Sequence, residues 1–407
     1  MKKLNFGAAF KLAATAIVAS SFSIVSTASA EKTVKIGYAV SKTGQNSAGA
    51  NITTVPNYKL WVDQVNKGGG LKLPGGERRK IEVIEYDDRS SSEEAVRAVE
   101  RLAVRDKVDF ILPPWGTGFN LAIAPLMDKH NYPQLAVTAV TDKAPQFAKR
   151  WKKSFWFLGG GRDYATELSN ILKSAKDAGK INGKISVVSV ADGFGIDLIK
   201  AARPALKDAG FDLVYDKTFP IKTSDFSSMI NDAKSKGADT FIAFSYPPHT
   251  FALVKQAQVV DFNPKIFYLG VGVGFPVFEK IAGKNIDGIM SLGGVNHKSE
   301  AFQKYAKTHM DLLGSPPDYW ASSVTYASLQ MLEQAIGRVG LDREAVAKEI
   351  SSGSFDTILG NIKLKDNQLR TLWFAGQWQN NKFVGVSPSS REGATDVVIP
   401  KARWVKN

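Results

Sequence analysis

The chain contains no cysteine in 407 residues. That excludes a disulfide framework, a thiol nucleophile, a cysteine-held zinc or iron–sulfur centre and an N-terminal lipid anchor on cysteine. Histidine is scarce. His130, His249, His297 and His309 are far apart and form no His-x-x-x-His pair, so no metal site is expected and each reads as a surface or helix-end residue. A Gly-x-Ser-x-Gly elbow is also missing. Two glycine patterns fail as phosphate or dinucleotide cradles. Gly183-Lys184 is followed by Ile185 where a hydroxyl residue is needed, and Gly270-x-Gly272-x-Gly274 continues to Phe275. Paired acids such as Asp87-Asp88 and Glu93-Glu94 read as solvated ends of a strand and a helix, without a partner for acid–base work. Neither a catalytic constellation nor a cofactor is expected.

With 44% hydrophobic and 23% charged residues, the composition is that of a folded soluble protein. It excludes disorder, collagen and coiled coil for the chain as a whole, and the length suits two or three domain-sized units. The first thirty residues stand apart. Lys2, Lys3 and Lys11 precede an apolar stretch from Leu12 to about Val25, and Ala28-Ser29-Ala30 places small residues at the −3 and −1 positions. This is an export-signal pattern with cleavage expected after Ala30, and its serine-broken apolar run falls short of the roughly 20 residues of a membrane span. The chain from residue 31 onward is expected outside the cytoplasm.

The whole chain carries +14, from 53 basic and 39 acidic residues. The bases are scattered among acids with no arginine-rich run, which suits solubility and a mild bias toward anions rather than nucleic acid.

From Thr33 the chain alternates β-branched runs with amphipathic ones. Strands are expected at 34–38, 81–86, 109–112 and 134–137, with helices over 50–67, from Ser92 and near 119–130. A second series places strands at 185–190, 213–219, 240–244 and 266–269 between helices. Helices near 299–313, 320–338 and 343–352 follow, then a β-like aromatic tail over 362–384. Gly68–Gly76 is rich enough in Gly and Pro to force a loop or hairpin. The expected fold is α/β, with two doubly wound parallel sheets.

Ligands of such sheets bind beyond the carboxyl ends of the strands. Pro113-Pro114-Trp115-Gly116-Thr117-Gly118 leads from a strand into a helix, whose free backbone N–H groups favour a carboxylate, with Thr117 adding a hydroxyl and Trp115 a flat wall. The alternative is that Thr117 caps the helix above a core tryptophan. Thr138-Ala139-Val140-Thr141 could complete the anion site, or Thr141 could cap the next helix. Phe194 and Tyr246, at strand-end loops of the second sheet, line a pocket or form local core.

These stretches, together with Ser41-Lys42-Thr43-Gly44, Tyr86-Asp87-Asp88, Asp192-Gly193-Phe194-Gly195, Asp225-Phe226-Ser227 and Thr325-Tyr326-Ala327-Ser328, make the chain resemble the periplasmic leucine/isoleucine/valine-binding protein family over nearly its full length. The family comprises substrate-binding components of ABC importers. The resemblance implies a type I periplasmic binding fold with three crossover segments and no enzyme activity. It implies lobes at 31–157 with 293–358 and at 158–292 with 359–407, in a monomer that delivers a small-molecule ligand to an ABC permease. It also implies ligand contacts at Ser47, Trp115, Gly116, Thr117, Ala139, Thr141, Phe194, Tyr246, Gly272 and Phe275. Where amino-acid binders of the family carry an acid, this chain has about Gly272. A buried ammonium without a carboxylate is costly, so the expected ligand is an apolar or aromatic carboxylate, with a branched-chain or hydrophobic amino acid as the alternative. A sensory receptor for a chemoreceptor or kinase, and an exported α/β enzyme, are the competing functions.

Overall fold

A computed structural model describes residues 32–405, and from Thr33 onward the chain forms one compact unit. The export signal and its cleavage point lie outside the described residues. Among the described residues, no helix is long and apolar enough to cross a membrane.

The first sheet is built on β1 (Val34–Val40), flanked in parallel by β2 (Ile81–Asp87) and β3 (Phe110–Leu112). The short parallel pair β4 (Gln134–Ala136) and β5 (Ser154–Trp156) follows as a separate ladder. Around these strands pack α1 (Val55–Lys67), α2 (Ser92–Val104), α3 (Thr117–Lys129) and α4 (Ala144–Arg150). The start of α2 is built as the sequence suggests: Ser91 accepts from the Glu94 N–H, and Glu93 and Glu94 occupy the positive first turn. The helix expected to begin at 50 starts earlier and irregularly. A turn at Ser47–Gly49 and a π-turn at Ala50–Thr54 run straight into α1. Gly68–Gly76 supplies the first strand and the crest of a short hairpin, Leu71–Lys72 against Arg78–Arg79, with the turn at Pro74–Gly76.

The chain then enters the second sheet through α5 (Gly161–Asp177). Its strands are β6 (Lys184–Val190), β7 (Asp212–Phe219), β8 (Thr240–Phe244), β9 (Ile266–Leu269) and β10 (Met290–Ser291). Covering helices are α6 (Gly193–Asp208), α7 (Ser227–Ser235), α8 (Pro247–Val259) and the short α9 (Phe278–Ala282). After three helices on the first side, α10 (Glu300–Leu313), α11 (Ala321–Val339) and α12 (Arg343–Ser352), the chain returns as β11 (Ala375–Gln379) and β12 (Lys382–Ser387). The order is β12-β11-β10-β9-β8-β6-β7, parallel from β10 to β7 and antiparallel at β11 and β12. The β-like tail thus makes this sheet mixed rather than wholly parallel.

Val187, Val188, Phe241, Ile242, Phe267 and Leu269 are fully buried, as expected of strands covered on both faces. The chain passes between the two sheets three times, at 157–160, 292–299 and 363–374. Before the last passage, Phe355–Thr357 pairs with Gly360–Ile362, and within it Gln368 bridges to Trp156 of β5.

A candidate ligand cavity between the two sheets

A cavity with about 350 Å³ of empty space lies where the carboxyl ends of both sheets meet. Of this, only about 20 Å³ is open to the centre of a water molecule, so the two sides stand nearly closed on each other and a larger guest needs them to part. Trp115, Gly116 and Thr117 reach it from the β3–α3 loop, and Thr138 and Val140 from the loop after β4. Phe194 comes from the start of α6, Tyr246 from the start of α8, and Val271 and Phe275 from the loop after β9.

The polar end is set by the start of α3. Gly116 occupies the position before the helix at φ 108°, ψ 148°, and offers no capping side chain. Its own N–H donates to the Thr138 hydroxyl at 3.0 Å. Thr117 is already the first helical residue, and its hydroxyl accepts from the Val140 N–H at 3.1 Å. Thr117 therefore does not cap α3, which corrects the capping alternative. The opening N–H groups of a helix have no partner within it and carry its positive partial charge. Here they sit beside a cavity, next to a hydroxyl that still has a proton to donate.

The wall is aromatic. Phe194 stacks on Tyr246 with ring centroids 5.2 Å apart, and Tyr246 meets Trp115 of the first sheet at 5.4 Å. Tyr246 is held from both ends. Its hydroxyl donates to Asp192 at 2.6 Å, and its backbone N–H donates to His249 Nδ1 at 3.3 Å. His249 Nε2 in turn donates to the Ile221 carbonyl at 2.7 Å. This pattern requires a neutral imidazole, and burial lowers the His249 pKa in the same direction. Burial raises both the Tyr246 phenol and the Asp192 carboxyl. Asp192 also accepts from the Gly195 N–H, capping α6 and so placing Phe194. His249 and His309 are buried rather than at the surface, each within a terminal turn of its helix. Trp115 is 3% exposed, with Gly49 packed so closely on its ring that a Cβ there would lie 2.2 Å from it.

Four expected contacts lie away from the cavity lining. Thr141 is buried, but its hydroxyl donates to Asp197 of α6 at 2.5 Å and accepts from the Lys143 N–H, so it ties the two sides together. Ala139 is fully buried outside the lining. Gly272 packs against Pro247 and Phe251, and the Ser47 hydroxyl donates to the Gly44 carbonyl at 2.7 Å.

Sequence reasoning missed several lining residues. Thr53 comes from the π-turn, and Asp318, Trp320 and Ala321 from the approach to α11. The signal present was Pro316-Pro317-Asp318-Tyr319-Trp320, an acid and two aromatics before an apolar helix. The acid absent at Gly272 has a counterpart elsewhere: Asp318 brings a carboxyl group to the cavity from the first side instead of the loop after β9. Among the described residues no cluster of three or more His, Cys, Asp or Glu could hold a metal.

The chain matches the profile described as periplasmic binding protein over residues 33–382. The Leu/Ile/Val-binding protein homolog 7 of Brucella suis is 24% identical over 352 residues, which is 82% of this chain and 86% of the relative. Among solved structures, a solute binding protein of an ABC transporter from R. palustris, in complex with benzoate, is similar with a TM-score of 0.74 at 19% identity, over 90% of this chain and 99% of that one. A branched-chain amino acid transporter substrate binding protein from Streptococcus pneumoniae, in complex with isoleucine, has a TM-score of 0.73 at 20% identity, over 91% of this chain and 100% of that one.

Proposed function

The chain belongs to the periplasmic binding protein family, and from that premise we propose that it is the exported substrate-binding component of an ABC importer, gripping a small apolar carboxylate between its two sheets and releasing it unchanged to a permease. The observation that carries this reading is the uncapped start of α3, facing an aromatic-walled cavity at the carboxyl ends of both sheets. The ligand's carboxylate accepts from the first N–H groups of α3 and from the Thr117 hydroxyl, while its apolar body lies against Trp115, Phe194, Tyr246 and Phe275. A carboxylate bound through backbone amides needs no lysine or arginine, and none lines the cavity. The benzoate and isoleucine bound by the two structural neighbours are both small carboxylates with an apolar body.

The three passages between the sheets serve as the hinge, and closure brings Trp115 against Tyr246 and excludes water from the polar end. The working form is a monomer. We test this by small-angle scattering with leucine, phenylalanine, benzoate and 4-hydroxybenzoate in turn, recovering each for NMR. A binder should contract the particle and come back chemically intact. Conversion of the ligand, or an unchanged radius with every acid, contradicts the reading.

A further inference from the structure

The cavity contains an acid that the carboxylate reading does not use. Asp318 is 1% exposed, lines the cavity, and has only neutral partners. Its Oδ1 accepts from the Trp320 N–H at 2.8 Å and its Oδ2 from the Ser322 hydroxyl at 2.7 Å, and the Thr53 side chain also bonds to it. The titratable groups facing it, Tyr305 and His309, are kept neutral by burial. Beside it, Trp320 Nε1 is buried next to the Tyr164 hydroxyl, with neither group in a well-formed hydrogen bond. Burial raises the Asp318 pKa, so ionising it beside a second anion is unfavourable, and a ligand group that donates to it, above all a cationic one, removes that cost.

We propose that Asp318 and the Trp320 indole form a second polar subsite, which selects carboxylates that also carry a hydrogen-bond donor, an ammonium or a hydroxyl, over plain carboxylates of the same shape. The inference rests on the reading above, in which the α3 start holds the carboxylate. Asp318 then acts as a specificity-determining residue. Its carboxylate accepts from the ligand's donor, and Trp320 Nε1 donates to whatever lone pair a hydroxyl ligand turns toward it. An ammonium has no lone pair to offer, so the two donor types use the subsite differently.

The test is calorimetric titration of the full mature chain with matched series: 3-phenylpropionate, phenyllactate and phenylalanine, and benzoate, 4-hydroxybenzoate and 4-aminobenzoate. In the series that fits, a donor-bearing acid should bind at least tenfold more tightly than its plain parent. The variant Asp318→Asn should bring the two within about threefold, chiefly by weakening the donor-bearing ligand. Equal or tighter binding of the plain acid by the unaltered protein overturns the inference while leaving the carboxylate reading standing, as does a preference that survives in Asp318→Asn. No binding of any carboxylate overturns both. The ligand series in the unaltered protein decides the matter even if the variant does not fold.

Discussion

At the scale of single residues, the chemistry near the cavity is set by which groups the chain satisfies itself and which it leaves for a guest. Asp88 shows how far a residue's neighbours outweigh its type. Read from the sequence as a solvated strand end, it is fully buried: Ser41 donates to its Oδ1 at 2.5 Å, Ser90 N–H donates to the same oxygen, and Oδ2 has no partner. Burial raises its pKa from 3.8 to about 6, against the bonds from Ser41 and Ser90. The folded state therefore holds the proton more tightly than the unfolded chain. Its contribution favours folding below the unfolded pKa and is lost as pH rises through about 6. Between pH 7 and pH 5 this group should add about 1 kcal/mol of stability. Urea melts at the two pH values should show that gain in the unaltered protein, and Asp88→Asn should lose it. An identical pH response in both proteins would show that Asp88 titrates normally.

The same comparison explains what was legible among site residues. Trp115, Gly116, Thr117, Phe194, Tyr246 and Phe275 all line the cavity, because aromatic and glycine residues at strand-end loops have few other uses. Thr141 looked equivalent, but a threonine hydroxyl serves any nearby acceptor, and the acceptor here is Asp197 across the interface. Only packing between distant segments could show that. Asp318 was illegible for a related reason: an acid just before a helix normally reads as a cap, and nothing in the chain order places α11 against the β3–α3 loop.

At the scale of elements, the strands and helices followed from periodicity, and the irregular turns did not. The π-turn at Ala50–Thr54 carries Thr53 to the cavity, and its residues read as ordinary helix in sequence. The start of α3 depends on Gly116, whose backbone lies in a region that essentially only glycine adopts. A Cβ at that position would come no closer than 3.6 Å to Phe119, so there is room for it, and the cost of adding one is backbone strain. Gly116→Ala should lower stability by roughly 1–3 kcal/mol. It should also weaken carboxylate binding beyond tenfold by turning the first N–H groups away from the cavity. Thermal melts and titration check both. Unchanged affinity in a destabilised variant would mean that those amides do not hold the ligand.

At the scale of the whole molecule, two sheets that each bury their own strands meet through a few cross-contacts: Trp115 on Tyr246, Thr141 bonded to Asp197, and Gly118 against Gly193. Parting them uncovers the aromatic wall of the cavity, while the helices on each sheet keep its own strands covered, which suits opening and closing about the passages between the sheets. The two-sheet architecture was legible because strand–helix alternation appears twice in the chain. The antiparallel pair that completes the second sheet was only half legible, since a β-like tail does not say which edge it joins.

The central claim is that main-chain amides at the start of α3 hold the charge of a small carboxylate. The most direct measurement is calorimetric titration of the protein with its best-binding acid and with that acid's methyl ester, which keeps the shape and removes the charge. The acid should bind one per chain, and the ester at least a hundredfold more weakly. Equal affinity for the two would contradict the account.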